Sequence, residues 1–242
     1  MNREKAAEII REGKRIVFFG GAGTSTESGI PDFRSSTGLY AEQKQKYSPE
    51  QLLSHSFFMD HPQEFYTFYK QKMIHAAAKP NRAHLALAEL EKRGVLHAIV
   101  TQNIDGLHQM AGSSKVYELH GTVHRNYCMK CGQSHSLAEV MQSASLIPYC
   151  VCGGIVRPDV VLYEEGLDMD IVNGAIATIE QADVLIVAGT SLTVQPAAGL
   201  VQYYRGDKLL LINKTATSYD HLARYTIRDS IADVMHEAVF AN

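Results

Sequence analysis

Four short runs of apolar, β-branched or aromatic residues punctuate the chain: Ile16 to Phe19, Val95 to Val100, Val184 to Ala188 and Leu209 to Ile212. Their apolarity is continuous rather than alternating, which predicts strands buried on both faces of a parallel sheet. Between them the spacing turns helical. Asn2 to Lys14 is amphipathic, Pro62 to Ala78 mixes aromatics with Lys and Gln, and Asn81 to Arg93 sets Leu85, Ala88 and Leu90 on neighbouring turns before Gly94 stops it. Ser48-Pro49-Glu50-Gln51 reads as a capping box with Pro49 at the first helical position. Strands alternating with helices in this way predict an α/β fold, a doubly wound parallel sheet with right-handed crossovers.

The pattern lapses between about Thr122 and Pro158, where all four cysteines fall, and Phe33 to Pro80 is rich in helix but poor in strand. The expected organisation is a sheet domain from residues 1–32, 81–121 and 159–242, and a smaller domain built from a helical part, 33–80, and a metal-binding module, 122–158. With no long linker, the two domains are expected to pack around a cleft.

Composition narrows the function classes. The chain has 242 residues, 45% hydrophobic and 20% charged, enough to bury a sizeable core. A net charge of −3 offers no sequence-wide basic face, so bare nucleic acid is not an expected partner. Apolar stretches such as Val184 to Ala188 fall far short of the roughly 18 residues that span a bilayer, so no membrane association is expected. Met1 to Glu8 alternates charges and lacks the apolar core of a signal peptide, which points to a cytoplasmic protein whose thiols stay reduced.

Candidate chemistry begins after the first strand, where Gly20-Gly21-Ala22-Gly23-Thr24-Ser25 runs from glycines into small polar residues. Such a turn lets backbone approach a pyrophosphate while N–H groups of a following helix face the anion. Gly21-x-Gly23 is half of the usual fingerprint, with Thr26 in the third glycine's place, and ordinary tight-turn chemistry stands equally open. Cys128-x-x-Cys131 and Cys150-x-Cys152, eighteen residues apart, have the spacing of a tetrahedral Zn²⁺ site. Gly132, Gly153 and Gly154 suit its knuckles. Four thiolates close the shell, so the zinc would be structural, its charge partly balanced by Arg125, Lys130 and Arg157; disulfides or unrelated buried thiols are the alternatives.

His120 follows the strand-like Val116 to Leu119 and precedes the cysteines, at the expected junction of the domains, where an imidazole can accept a proton near neutral pH. Asn103 and Asp105 follow the second strand, at the carboxyl edge where such sheets bind ligands; they also suit a turn and helix cap.

Four blocks carry a family resemblance: Thr24-Ser25-Thr26-Glu27-Ser28-Gly29-Ile30-Pro31-Asp32-Phe33-Arg34, Thr101-Gln102-Asn103-Ile104-Asp105-Gly106-Leu107-His108, Leu119-His120-Gly121 and Gly189-Thr190-Ser191-Leu192. In this order, with the cysteine set, the chain resembles the bacterial-type sirtuins, NAD-dependent protein lysine deacylases, from about residue 10 to 235. The resemblance implies a Rossmann-like NAD domain, a zinc-ribbon and helical domain, and an active site in the cleft between them. It makes His120 the general base, Asp105 the holder of the nicotinamide carboxamide and Asn103 an organiser of water and ribose. Gly21, Ala22, Gly23, Thr26, Asp32, Phe33, Arg34, Gln102 and Ile104 match positions around the phosphates, riboses and nicotinamide. Gly189, Thr190, Ser191, Asn213 and Ile231 match the adenosine side.

NAD would be a consumed co-substrate: the acyl-lysine carbonyl oxygen attacks ribose C1′ as nicotinamide leaves, and His120 deprotonates a ribose hydroxyl that attacks the resulting imidate. Water then releases lysine and O-acyl-ADP-ribose. Phe33 would shield the reacting carbon from water. Acetyl-lysine proteins or peptides are the implied partners, pairing with Val160, Val161, Leu162 and Tyr163 as an added strand, unless that segment is an internal strand. A monomer is expected. Relatives that prefer succinyl or malonyl groups carry Tyr-x-x-Arg, whereas here Tyr69 follows Tyr66 in the arginine's place, so acetyl or longer apolar groups are expected. Lys214 stands where many relatives are acidic. Mono-ADP-ribosyl transfer to protein and a non-catalytic NAD-sensing scaffold are the competing functions; retention of His120, Asn103 and Asp105 favours deacylation.

Overall fold

A computed structural model describes residues 3–33, 35, 38 and 46–241. In chain order, α1 (Arg3–Glu12) leads into β1 (Ile16–Gly20), and α5 (Arg82–Lys92) leads into β2 (Leu96–Thr101), after which α6 (Leu107–Met110) precedes β3 (Val116–Glu118). β4 (Gly121–Cys128), β5 (Ser134–Ser136) and β6 (Val156–Val160) form a separate antiparallel sheet in the order β5-β4-β6. The chain then returns through α8 (Met169–Glu180) to β7 (Val184–Ala188), β8 (Leu209–Ile212) and β9 (Tyr225–Ile227), and ends in α9 (Ile231–Phe240).

The large sheet is parallel throughout, in the order β3-β2-β1-β7-β8-β9. From β1 the chain winds outward in one direction, and from β7 in the other, so the strand order reverses between β1 and β7. Every residue of β1, β7 and β8 is buried, as their continuous apolarity requires. One face packs on α1, α5 and α9 through Ile9, Leu87, Leu90, Val234 and Met235; the other packs on α8 and the 3₁₀ segment Ala197–Tyr203. The fold class is therefore as the sequence predicts.

The second sheet carries α7 (Leu137–Gln142) and faces the helices α2 (Pro49–Leu52), α3 (His55–Asp60) and α4 (Pro62–Phe68). A cluster of Phe58, Phe65, Tyr66, Tyr69, Val123 and Leu162 joins these pieces, although they are distant in sequence. The capping box at Ser48 forms as expected, with Oγ accepting the Gln51 N–H at 3.2 Å.

Two helical expectations are corrected. The stretch predicted as one helix from Pro62 to Ala78 is α4 followed by a π-turn, Tyr69–Met73, that ends in extended Ile74, with Tyr66 and Tyr69 both in the aromatic cluster. In α5 the buried stripe is Ala83, Ala86, Leu87 and Leu90, with Leu85 48% exposed, since the sheet meets a face rotated from the one the leucines suggested. The first residue of the predicted helix from Asn2 lies outside the described residues. The helices α8 and α9 were not anticipated from the pattern.

Truncating Leu87 to Ala should destabilise the protein by about 2–5 kcal/mol, and Leu85→Ala by no more than about 0.5 kcal/mol. Denaturant unfolding of the two variants checks the assignment of the buried face.

Candidate active site

At the strand reversal the carboxyl ends of β1 and β7 carry Gly21-Ala22-Gly23 and Gly189-Thr190. The two turns touch backbone to backbone. A Cβ on Gly23 would lie 2.7 Å from Gly189 Cα, and one on Gly189, whose φ is +61°, would lie 2.4 Å from the Thr24 nitrogen. The Gly23 N–H donates to Gly189 O at 2.8 Å, and the Gly21 N–H donates to Ala188 O at 3.2 Å. These glycines thus serve the protein's own packing.

The expected helix start does not follow them. Two 3₁₀ turns, Ala22–Thr24 and Thr26–Ser28, take its place; the N–H groups of Thr24 and Ser25 close the first on Gly21 O and Ala22 O, and those of Ser28 and Gly29 close the second on Ser25 O and Thr26 O. The expected α-helix start after the glycines is thus replaced by 3₁₀ turns.

Two chains of hydrogen bonds cross the edge of the sheet. In the first, His120 Nδ1 donates to Gln102 O at 2.9 Å, Thr190 Oγ1 donates to Gln102 Oε1 at 3.1 Å, and Asn213 Nδ2 donates to Thr190 O at 2.8 Å. A carbonyl can only accept, so the Nδ1 of neutral His120 carries the proton and Nε2 keeps a lone pair. Burial pushes the His120 pKa below its ordinary value, against the opposing pull of the Gln102 carbonyl, and so favours that neutral form. Gln102 Nε2 is buried with no protein partner, an orphaned donor in the middle of the chain.

In the second chain, Ser25 Oγ donates to Asp105 Oδ2 at 2.6 Å and accepts Asn103 Nδ2 at 3.1 Å, while Asp105 Oδ1 accepts the Leu107 N–H at 2.9 Å. Asp105 thus makes the expected turn bond two residues on, while the cap position of α6 itself falls to Gly106 without a side-chain cap. Ser25 is the residue that sequence reasoning left out. It sat unremarked among small polar neighbours, and its role exists only because β1 and β2 are adjacent. Asn81, also missed, fastens the glycine turn by donating to Thr24 O at 2.8 Å and Ser28 Oγ at 3.1 Å.

The other expected positions surround this edge. Thr26 Oγ1 donates to Gly23 O, Asp32 Oδ1 accepts the Ser35 N–H, and Phe33 and Ile104 pack against the small-domain cluster. Ser191 Oγ bonds Thr193 Oγ1 at 2.9 Å. Ile231 packs behind Gly189, where a Cβ would meet its Cδ1 at 2.8 Å. Arg34 lies outside the described residues.

In the segment expected to receive a peptide, β6 forms an edge of the small sheet among the described residues. The Val161 N–H then bonds His120 O at 3.0 Å, which ties the segment to the histidine. Beyond that point the backbone is committed. The Leu162 N–H donates to Glu165, and the Tyr163 N–H and carbonyl pair with Leu53 O and the His55 N–H. Of the expected pairing positions, Val161, Leu162 and Tyr163 thus already spend their N–H groups within the chain.

The four cysteine sulfurs all lie within 4.8 Å of one another, with Cys128–Cys152 at 3.4 Å and Cys131–Cys150 at 3.8 Å. Tetrahedral Zn–S bonds of about 2.3 Å place sulfurs about 3.8 Å apart, so the donor set fits one Zn²⁺ and leaves no open position for water. Gly132 and Gly153 occupy the knuckle turns with positive φ. Charge balance differs from expectation: Lys130 is at the cluster, its N–H on Cys128 Sγ and its Nζ on Cys152 O. Arg125 instead pairs with Glu118 and Asp159, and Arg157 with Glu165, because carboxylates stand closer to them than the thiolates.

A reversing parallel sheet with a tethered histidine and a glycine contact at its switch point, joined to a four-cysteine ribbon, defines a nucleotide-binding α/β protein with a structural metal module. The model of the Sir2 family matches residues 21–196. Proteins of Clostridium acetobutylicum and Clostridium tetani, each named NAD-dependent protein deacetylase, are 58% identical over 234 and 235 residues, covering 96% of this chain and 96% and 95% of their own. A solved Sir2 structure with p53 peptide and NAD⁺ is 37% identical and superposes with a TM-score of 0.84, covering 98% of this chain and 97% of its own. Another, of Sir2Tm bound to a propionylated peptide, is 36% identical with a TM-score of 0.86, over 98% of this chain and 97% of its own. The chain belongs to the Sir2 family.

Removing the metal should loosen the ribbon without touching the histidine. Metal analysis should find one zinc per chain, and a strong chelator should lower the apparent thermal midpoint by more than about 5 °C. Because the fold favours neutral His120, its contribution to stability is present above the ordinary histidine pKa of about 6.5 and is lost as pH falls through the lowered folded value. The acid limb of any reaction that uses Nε2 as a base should accordingly lie below about pH 6.5, which a pH–rate profile reads directly.

Proposed function

We propose that this protein is an NAD-dependent protein lysine deacylase that removes acetyl or longer apolar acyl groups, producing nicotinamide and O-acyl-ADP-ribose. The observation that carries the reading is the tethering of His120: Nδ1 is held by Gln102 O, so Nε2 is the basic atom beside the strand reversal. The cationic nicotinamide of NAD supplies the leaving group. His120 Nε2 takes the proton of the ribose hydroxyl; the protein-side bond to Gln102 fixes the ring and favours the tautomer that can do so.

Asp105, oriented by Ser25 and the Leu107 N–H, accepts from the nicotinamide carboxamide, and Asn103 orders ribose and water. Orphaned Gln102 Nε2 is a donor for the nicotinamide ribose, and Thr190 and Asn213 extend the same chain to the adenosine side. Gly21, Ala22, Gly23, Thr26, Asp32, Arg34, Gly189, Ser191 and Ile231 surround the dinucleotide, while Phe33 and Ile104 wall off water. Val160, Val161, Leu162 and Tyr163 line the peptide, with Val160 on the open edge of β6. A mono-ADP-ribosyltransferase would need no base at the ribose hydroxyl.

Acyl choice follows from the small-domain cluster. Tyr69 is buried against Phe65, the Tyr66 hydroxyl donates to Val156 O, and burial pushes both phenols above their ordinary pKa. Arg157, whose guanidinium lies over the Phe58 ring, is already held by Glu165. Among the described residues of that cluster, no arginine is left free to pair with a dicarboxylic acyl group.

The NAD domain comprises residues 1–32, 81–121 and 159–242, and the smaller domain 33–80 and 122–158. None of the described helices is long and apolar enough to cross a membrane. A cytoplasmic monomer acting on proteins, without nucleic acid or membrane, is the form this reading takes.

Mass spectrometry of an acetyl-lysine peptide with and without NAD tests the reading. The acetyl mass should be lost only with NAD, O-acetyl-ADP-ribose should appear, and His120→Ala should cut the rate by about 10²–10⁴. An unchanged peptide overturns the proposal. A succinyl-lysine peptide should react with kcat/KM at least about 100-fold lower than its acetyl counterpart.

A further inference from the structure

Behind the glycine-rich turn two histidines are enclosed almost completely: His84 of α5 is 0% exposed and His108 of α6 is 1% exposed. Their ring centroids are 4.7 Å apart and the planes are tilted by 59°. Phe18 of β1 closes the other side of His108 at 6.0 Å. Burial drives both rings toward the neutral form; His84 further disfavours charge on His108, while Asp105 partly offsets the effect on His84.

Neutral imidazole always presents one donor and one acceptor, and these are not matched by protein. His84 Nδ1 accepts the Asn81 backbone N–H at 3.2 Å, so its proton is on Nε2, for which no protein acceptor is present. Neither nitrogen of His108 has a protein partner. Two hydroxyls in the same neighbourhood share this condition. Ser113 Oγ belongs to the residue whose N–H bonds His108 O, and Thr24 Oγ1 lies with the Phe18 ring around Gly20. Buried polar groups gathered in this way are characteristically satisfied by internal water, which needs two to four polar partners.

The pair also lies between both halves of the candidate site. Asn81, which holds His84, fastens the glycine turn through Thr24 O and Ser28 Oγ. His108 sits on the helix whose first N–H, that of Leu107, donates to Asp105, and Asp105 also accepts from Ser25. We propose that His84, His108 and Thr24 enclose an internal water site, and that the two histidines are positioning residues holding the Asp105 turn against the glycine-rich turn for NAD binding. In this arrangement one water would accept from His84 Nε2, donate to the acceptor nitrogen of His108 and bond the Thr24 hydroxyl. This rests on the nucleotide-binding part of the reading above and is independent of the acyl substrate.

Calorimetric titration with NAD, in the absence of peptide, tests the positioning role. His108→Phe, which keeps an aromatic ring but removes both nitrogens, should weaken NAD binding on the order of tenfold, and His108→Gln should recover a substantial part of it. A purely structural role predicts loss of thermal stability with no such recovery. Unchanged affinity in folded His108→Phe overturns the positioning role. A high-resolution crystal structure of the wild-type protein tests the water site, and also decides should the variants fail to fold. Density within hydrogen-bond distance of His84 Nε2 and a His108 nitrogen is expected, and its absence overturns the site. Wild-type protein that binds NAD yet leaves acetyl peptide intact would sink the deacylase reading alone.

Discussion

No side chain fits at the place where the β1 and β7 turns meet. Gly23 and Gly189 touch through their backbones at the reversal of strand order, and the rest of the site is laid out around that contact. Parallel strands leave their carboxyl ends exposed at one edge, and reversal of the winding opens a crevice there. Closing β1 and β7 together at that edge brings the Gln102 segment of β2 beside Thr190 and, through it, Asn213 beyond β8. The histidine completes this chain from the first residue past Leu119, where the large sheet gives way to the small one.

Electrostatics reinforce the same layout. His120 is tethered and held neutral by burial, which suits a base more than a charged clamp. The arginines near the small sheet, Arg125 and Arg157, are consumed by Glu118, Asp159 and Glu165, so they brace β4 and β6 instead of neutralising the cysteine cluster. A four-thiolate zinc site then works as a fastener for a sheet too small to hold itself by apolar burial. Its cluster has few apolar members, among them Val140 and Val156.

Much of this was legible in the residues. The four continuous apolar runs predicted four strands of the large sheet within about a residue at each end. The two cysteine pairs predicted the cluster because metal-ligand spacing is local, and Ser48 predicted its capping box for the same reason. Where prediction failed, a distant partner had decided the outcome. Leu85 is exposed because the sheet chose the Ala83–Leu87 face of α5, and the helix predicted after Pro62 gives way to a π-turn where Tyr66 and Tyr69 join an aromatic core with Phe58, contributed by a separate helix. The glycine turn looked like a pyrophosphate cradle, yet its glycines answer first to Gly189, some 170 residues away in the chain.

The sequence by itself determined four strands of the large sheet, the layered α/β class and the four-cysteine set, since each is written in short-range periodicity or in residues a few positions apart; His120 stood out through the family pattern around it. Tertiary structure alone decided which nitrogen of His120 is basic, that Ser25 joins Asn103 to Asp105, that Leu162 and Tyr163 spend their backbone bonds on Leu53, His55 and Glu165, and that His84 and His108 face one another. Each of these depends on two segments meeting across a strand reversal or a domain boundary. Hydrogen bonding and burial there are properties of the pair, and neither segment carries them alone.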